Sequence, residues 1–565
     1  MKRCPECRRD YYDDTLSFCL EDGTELVQGS VPVVSDNEPA TAIIHTADAV
    51  GNASTRAQVH TTEQTAVLPS GISDLPKRNL DKRLVVSALF LVVIALSAML
   101  GYRYFGSNTK QIESIAVMPF VNESGNADVE YLSDGMTETL INSLSQLPNL
   151  NVQARSSVFR YKGKDTDTKA IGKELNVQAL LNGRVVQRGD NLILYLELVD
   201  AQTGKRIWGD QYNRKQNELI TLQSEIARDV SSKLKSKLSG AEAAKVEKNY
   251  TANPEAYQFY LKGRFYVARR TPPEVKKAID SYLQAIALDQ SYALAFAALG
   301  EAYYHLSSYG GATPHEAMPK AKEATLKALS LDNDLAEAHS SLCNIFSTYD
   351  FDFDRAESEC RRGIELSPND ATAHHFYGLL LTRLGRHEES FAEFRRALEI
   401  EPLTLVINKN YGESLFYARR YEESIEQFKR TLELDANFAP TYPGLAAAYQ
   451  VMGRHAEYIE IYARYHELLN QPQSAALVRE TFAKDGWQGI RQMMSKETPL
   501  LSTSSYSIAV FLAESGEKDN AIAALNNAYE NRLYRVGHIK VDPRLDPLRD
   551  DPRFQELMKK VGFPE

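Results

Sequence analysis

From Pro254 onward, apolar and small positions return every three or four residues within segments and every 34 residues between them. That double period predicts antiparallel helix pairs stacked as a repeat array. Gly378, Gly412 and Ala446 are each 34 apart, as are Phe394, Phe428 and Tyr462, and as are Pro368, Pro402 and Ala436. Small residues at this spacing mark close helix crossings, and large ones mark wedges between neighbours. Gly263 with Tyr266, Ala278, Tyr282 and Ala285 supplies one upstream unit. Gly300 with Tyr303, Ala321 and Ala328 supplies another with a longer turn, and Cys343 takes the small position in the next. Residues 254–470 thus predict six repeats. Residues 471–565 predict one further helical pair, Ser507 to Asn531, before a C-terminal cap.

Between residues 112 and 240 the period changes. Ser114 to Phe120 is a short apolar run ending near a proline, and Tyr131 to Leu147 carries Leu132, Met136, Leu140, Ile141 and Leu144 on one helical side. Leu150 to Ala154 reads as a strand and Lys169 to Leu175 as a short helix. Ala179 to Gln187, Leu192 to Leu198 and Lys205 to Tyr212 read as three strands joined at Gly189-Asp190 and Thr203-Gly204, residues suited to tight hairpins. A helix from about Glu218 to Leu238 closes a mixed sheet with helices packed on it, an α/β module.

Leu84 to Tyr102 is a different pattern again: nineteen residues without a charge. As a helix they extend about 28 Å, close to the thickness of a bilayer's hydrocarbon core, and predict one transmembrane helix. Its position deep in the chain argues against a cleaved signal peptide. Lys77, Arg78, Lys82 and Arg83 precede it and only Arg103 and Lys110 follow closely, which predicts an inside N terminus. In a bacterial cell this places the N terminus in the cytoplasm and the C-terminal body in the periplasm, with the span in the inner membrane. Residues 27–83 have no Phe, Trp or Tyr up to Leu80 and no periodicity, and predict a disordered linker.

Composition sharpens this picture at two points. With 65 Lys and Arg against 75 Asp and Glu the net charge is −10, so the chain has no global attraction to nucleic acid. Three of its five cysteines, Cys4, Cys7 and Cys19, fall within the first 19 residues. The order CPEC, eleven residues, then CLED sets two pairs of donors at the spacing a tetrahedral zinc needs, with Asp22 where a fourth cysteine would stand. Residues 1–26 are too short to fold without a staple, so the expected metal is a structural zinc held by Cys4, Cys7, Cys19 and Asp22. The other two, Cys343 and Cys360, lie on the two helices of one repeat. They read either as buried packing residues or, in an oxidising compartment, as a disulfide.

CPECRRDYYDDTLSFCLEDGTEL resembles the short zinc ribbons that open many bacterial membrane-anchored proteins. SIAVMPFVNESG, YLSDGMTETLINSLSQLPNLNVQARSSVFRYKGK, IGKELNVQALLNGRV and LVDAQTGKRIWGDQY together resemble the TolB-like or FlgO-like module that precedes tetratricopeptide arrays. In that resemblance Asp134, Gly135, Arg155, Lys162, Gly183 and Trp208 are pattern residues, expected to be structural. The 34-residue units resemble tetratricopeptide repeats, which implies a concave groove lined by the first helix of each repeat. Glu301, Tyr304, His305, His375, Arg383, Lys409, Glu413 and Tyr417 fall there by register. Tyr304, Arg383, Lys409 and Tyr417 are the expected contacts to a protein or peptide partner, because Tyr and Arg dominate interface energetics.

No phosphate-binding, kinase, nucleophile-elbow or H-E-x-x-H motif is present, so the sequence argues against an enzyme; accessory enzymatic activity rests only on the kinases and cyclases fused to related modules. The expectation is a membrane-anchored scaffold. The alternative is a transmembrane signalling or transcription-regulatory protein that reports partner binding through the zinc ribbon.

Overall fold

The computed structural model describes residues 112–126, 129–147, 150–234, 248, 250–501 and 505–564, together with three short N-terminal strands; of residues 495–501 only the backbone is described. Strands β1 (Lys2–Arg3), β2 (Asp10–Tyr11) and β3 (Val27–Gln28) form a small antiparallel sheet in the order β2-β1-β3. The expected zinc ligands Cys4, Cys7, Cys19 and Asp22, and the expected span 84–102, lie outside the described residues. Among the described residues no helix is long and apolar enough to cross a membrane, and no cluster of donors could hold a metal.

The α/β module is a six-stranded mixed sheet. Strands β4 (Ser114–Val117), β6 (Asn151–Val152), β7 (Ala179–Arg188), β8 (Asn191–Asp200) and β9 (Arg206–Lys215) run in the order β6-β4-β7-β8-β9, with β5 (Val121–Asn122) pairing on β7. The first three pairings are parallel and the two long hairpins antiparallel. The strict alternation of NLILYLELVD explains β8: Leu192, Leu194, Leu196 and Leu198 all point into the core. Gly189, at a φ of +60°, makes the β7–β8 turn that a Cβ would strain. Helices Glu130–Ser145 and Leu219–Lys233 cover the sheet. The sequence pattern missed β5 and the short helix Arg155–Val158, each too short for any period to register.

Six helix pairs follow. They are Pro254–Val267 with Pro272–Leu288, Ala293–Ser308 with Pro314–Leu331, and Ala336–Ile345 with Phe353–Leu366. Then come Ala371–Leu384 with His387–Ile400, Leu405–Tyr417 with Tyr421–Leu434, and Tyr442–Val451 with His455–Leu468. Small residues do sit where helices cross: a Cβ on Gly412 would stand 2.7 Å from the Phe428 ring, and one on Gly378 would stand 3.1 Å from Phe394. In the third pair Cys343 and Cys360 form a disulfide with Cα atoms 5.0 Å apart.

The first repeat helix packs directly on the module. Gly135 lets helix Glu130–Ser145 approach Leu261 closely, and one apolar core runs from Ile115 through Leu261 to Leu306. The module also reaches across the array: Gln153 Nε2 donates to the Ile400 carbonyl at 3.3 Å, and Ser156 Oγ meets Thr404 Oγ1 at 3.2 Å.

The C-terminal part turns back. Helices Ser505–Glu514 and Lys518–Glu530 and the final helix Pro552–Val561 share a core with Met318, Phe346, Phe353 and Leu381 of repeats two to four. Phe353 stacks on Phe563 and Phe351 on Tyr529, with ring centroids 5.0 and 6.0 Å apart. The expected terminal cap is therefore a cover laid over the middle repeats. The break at Gly486, φ +59°, interrupts the long helix Pro472–Leu501 that leads to it.

Candidate functional site: the concave face of the repeats

The groove register places four side chains for a partner, and the structure treats them differently. Tyr304 is half-buried on helix Ala293–Ser308, between Glu301 and His305, whose side chains are 37% and 25% exposed. Lys409 pairs with Glu413 one turn on, at 2.8 Å. Burial works to raise the Glu413 pKa, but Lys409 and Arg535 outweigh it and hold the carboxyl below its usual range.

Arg383 and Tyr417 are buried, 3% and 4% exposed, beneath the chain's own segment Tyr534–Leu548. Tyr417 stacks on His538 with centroids 4.8 Å apart. Gly537 lies against Arg383, where a Cβ would come within 3.0 Å of Arg383 Cδ. The expectation that these two are open to a partner is thus corrected: in this fold they contact the chain's own segment. The reason is apolar. Val536, Ile539, Leu545 and Leu548 have no exposed surface, and burying each contributes roughly 1.5–3 kcal/mol. The segment is anchored by polar contacts too. Tyr506 donates to Asp542 at 2.9 Å, Arg544 grips both oxygens of Asp542, and Arg419 grips Asp546.

His375 accepts from Asn410 Nδ2 at 2.7 Å, an arrangement that needs its Nε2 unprotonated. Burial, with Lys409 and Arg383 nearby, pushes its pKa down to about 3. His538 is pushed down for the same kinds of reason, burial first and then Arg383 and Arg535.

At the other end of the groove, the junction with the module is ionic. Glu138, buried in helix Glu130–Ser145, accepts from Arg264 Nε at 2.9 Å and pairs with Arg155 at 3.2 Å; Arg264 also reaches Glu301 at 3.1 Å. Burial alone would raise the Glu301 pKa, but Arg264 and His305 hold it down at about 2. Lys162 bridges Glu130 and Asp134, and the Arg155 guanidinium lies 3.7 Å over the Phe159 ring. Asp134, Arg155 and Lys162 are thus tied together by charge at this junction. Gly183 lies under Phe120. Sequence reasoning passed over Glu138 and Arg264, because single charges on two helices 126 residues apart carry no signal until the helices meet.

Comparison with known proteins bears on both halves of the body. Residues 274–307 match the TPR repeat, and residues 352–403 match the tetratricopeptide repeat. The helices within these two stretches are tetratricopeptide repeats. Residues 110–229, where the sequence resembled a TolB- or FlgO-like module, match the second domain of HilA/YgeH-like transcriptional regulators.

Among curated relatives, a putative adenylate cyclase 3 from Rhizobium meliloti is 31% identical over 231 residues, covering 40% of this chain and 39% of that protein. The transcriptional regulator HilA of Salmonella typhimurium is 21% identical over 286 residues, 49% of each chain. The chain spans about half the length, or less, of these relatives. Among solved structures, Pseudomonas aeruginosa PilF is 18% identical with a TM-score of 0.28, covering 37% of this chain and 98% of that one. YrrB, described as a TPR protein with an unusual peptide-binding site, is 16% identical with a TM-score of 0.26, covering 35% and 97%.

Proposed function

We propose that the chain is a membrane-anchored protein-interaction scaffold whose repeat groove binds a segment of another protein. The observation that carries this reading is the strip at Glu301, Tyr304 and His305. It stays partly exposed on the concave face although the module flanks it on one side and the C-terminal segment covers the repeats beyond it. A half-buried tyrosine between groups that can donate and accept is the composition of an interface anchor. Lys409, 15% exposed, extends the strip. Arg383 and Tyr417 belong to it only if a partner takes the place of Tyr534–Leu548.

Proximity labelling and pull-down with the full chain in detergent supply the test. Tyr304→Ala should lower recovery of the principal partner about thirty-fold, the equivalent of about 2 kcal/mol, while the chain still shows a cooperative melting transition. Undiminished recovery would move binding elsewhere.

The anchor and the ribbon are part of the same proposal. The uncharged run 84–102 spans the bacterial inner membrane with the body on the periplasmic side, and the Cys343–Cys360 disulfide suits an oxidising compartment. A C-terminal alkaline phosphatase fusion should be active. Metal analysis of the full chain under reducing conditions should give one zinc per chain, lost on Cys7→Ala and only weakened on Asp22→Ala.

A second reading rests on the HilA/YgeH-like match at residues 110–229: a regulatory protein that reports groove occupancy to a transcriptional partner. Co-purification of the full chain with a transcription factor, abolished by Cys7→Ala, would favour it.

A further inference from the structure

Where the module meets repeats one to three there is a cavity of about 90 Å³. Its walls come from helix Glu130–Ser145, helix Leu219–Lys233, Lys248, Tyr250 and Thr251, and the starts of three repeats. Four tyrosines, Tyr250, Tyr257, Tyr260 and Tyr292, line it together with the carboxylate of Glu337. The geometry points to a binding site here for a small organic ammonium ion, independent of the partner groove.

Three observations carry this. First, the cavity joins aromatic faces to an acid. Tyr260 and Tyr292 are 2% and 1% exposed, and their rings lie 5.3 Å apart, with Tyr257 6.4 Å from Tyr260. Aromatic faces attract cations through their quadrupole, and more strongly when water is excluded. Second, the polar groups are short of partners. Tyr257 spends its hydroxyl on Gln223 and Thr139. Among the described residues, no hydrogen bond or ion pair reaches the Glu337 carboxylate or the hydroxyls of Tyr260 and Tyr292, which leaves these cavity-lining groups available to a ligand. An ammonium donates up to three hydrogen bonds.

Third, the charge has one sign. Glu337 and Asp334 are acids, and among the described residues the one cation in the lining, Lys248, is engaged with Asp332 at 2.6 Å. Lys248 also shows what this wall accepts: its own ammonium stands 5.0 Å from the Tyr250 ring centroid. Burial raises the Glu337 pKa to about 7, against the pull of Arg264 and helped by Glu301, Asp370 and Glu138, so a bound cation would restore its charge. The volume admits several water molecules, hence an ammonium on a short alkyl chain.

The probe is n-butylammonium, with n-butanol as its neutral counterpart, read on the full chain by ligand-observed NMR and thermal shift. Saturable binding of the ammonium, at least ten-fold tighter than the alcohol, is the expected result. Glu337→Gln keeps the side-chain shape and should weaken the ammonium at least ten-fold with no loss of melting temperature. Equal binding of the two probes, no saturable binding by either, or full binding by a folded Glu337→Gln chain would each overturn the site. The wild-type comparison decides the matter even if the variant misfolds. A capped peptide with a single lysine is the last arm: preference for it over n-butylammonium would replace the small amine by a lysyl side chain of a protein and refute the small-ligand assignment.

Discussion

Tyr304 and Tyr417 both lie late on the first helix of a repeat, four and five residues after the small residues Gly300 and Gly412, and the fold covers them to different degrees. Tyr417 is wedged against His538 within the folded body, so Tyr417→Ala should lower stability by about 3–5 kcal/mol, as large-to-small changes in a core do, measurable as a shift of the denaturation midpoint. Tyr304→Ala, which removes a ring only partly buried against the core shared with the C-terminal helices, should lower that midpoint by less. A residue's place in the repeat register was legible in the sequence. Whether it faced solvent was not, because the segment that covers Tyr417 lies about 120 residues further along and carries no repeat signal of its own. The buried histidines give a pH signature at the same scale. His375 is neutral in the fold with a pKa of about 3, against about 6.5 when unfolded, so between those values the unfolded chain binds the extra proton. Its contribution is whole above about pH 6.5 and is lost as the pH falls, by up to about 1.4 kcal/mol per pH unit. Glu337, Glu401 and Glu514, raised to about 7 by burial, act with the opposite sign: they favour the fold at low pH and lose that effect as the pH rises from about 4.5 through 7. The difference in stability between wild type and His375→Gln should therefore narrow steadily from pH 6.5 to 4. A constant difference would mean that the ring is protonated in the fold.

The helix pair is the scale at which the sequence spoke most clearly. Helical periodicity and the turn between helices are local, so the 34-residue spacing marked Gly378 and Gly412 as helix crossings and Phe394 and Phe428 as wedges; the structure then sets each glycine against its phenylalanine. Gly412→Ala tests that packing. The added methyl would stand 2.7 Å from the Phe428 ring, and the crowding should cost about 1–3 kcal/mol by chemical denaturation. What the period left open was the pairing of Cys343 with Cys360, since a repeat register fixes which helix a residue is on and not which way its side chain turns. The disulfide closes a loop of 17 residues, for which loop entropy gives about 3 kcal/mol. Replacing both cysteines by Ala should lower stability by about that amount in non-reducing buffer. Wild type treated with a reductant should fall to meet the double variant.

At the scale of the described body, residues 112 to 564, the α/β module and the repeats are bound together twice. Gly135 brings helix Glu130–Ser145 onto Leu261 beside the Glu138–Arg264–Glu301 chain of charges, and Gln153 and Ser156 meet Ile400 and Thr404 on the far side of the array. The C-terminal segment binds the middle repeats a third time through Val536, Ile539 and Leu545. Repeat arrays held only by neighbour contacts unfold piecemeal, whereas long-range ties make distant parts melt together. The body should thus show one cooperative transition, with probes in the module and in repeat five reporting the same midpoint. Leu261→Ala cuts the apolar junction and should lower that shared midpoint by about 2–5 kcal/mol. Glu138→Gln leaves Arg264 and Arg155 facing a neutral group and should lower it as well, since losing one partner of a buried ion pair leaves the other uncompensated. Calorimetry of the full chain, with a fluorescent label at an exposed position of each half, checks this directly. If Leu261→Ala shifts the module's transition and leaves that of the repeats in place, the two halves are separate folding units, and the ties at Ile400 and Thr404 contribute nothing to the stability of the whole.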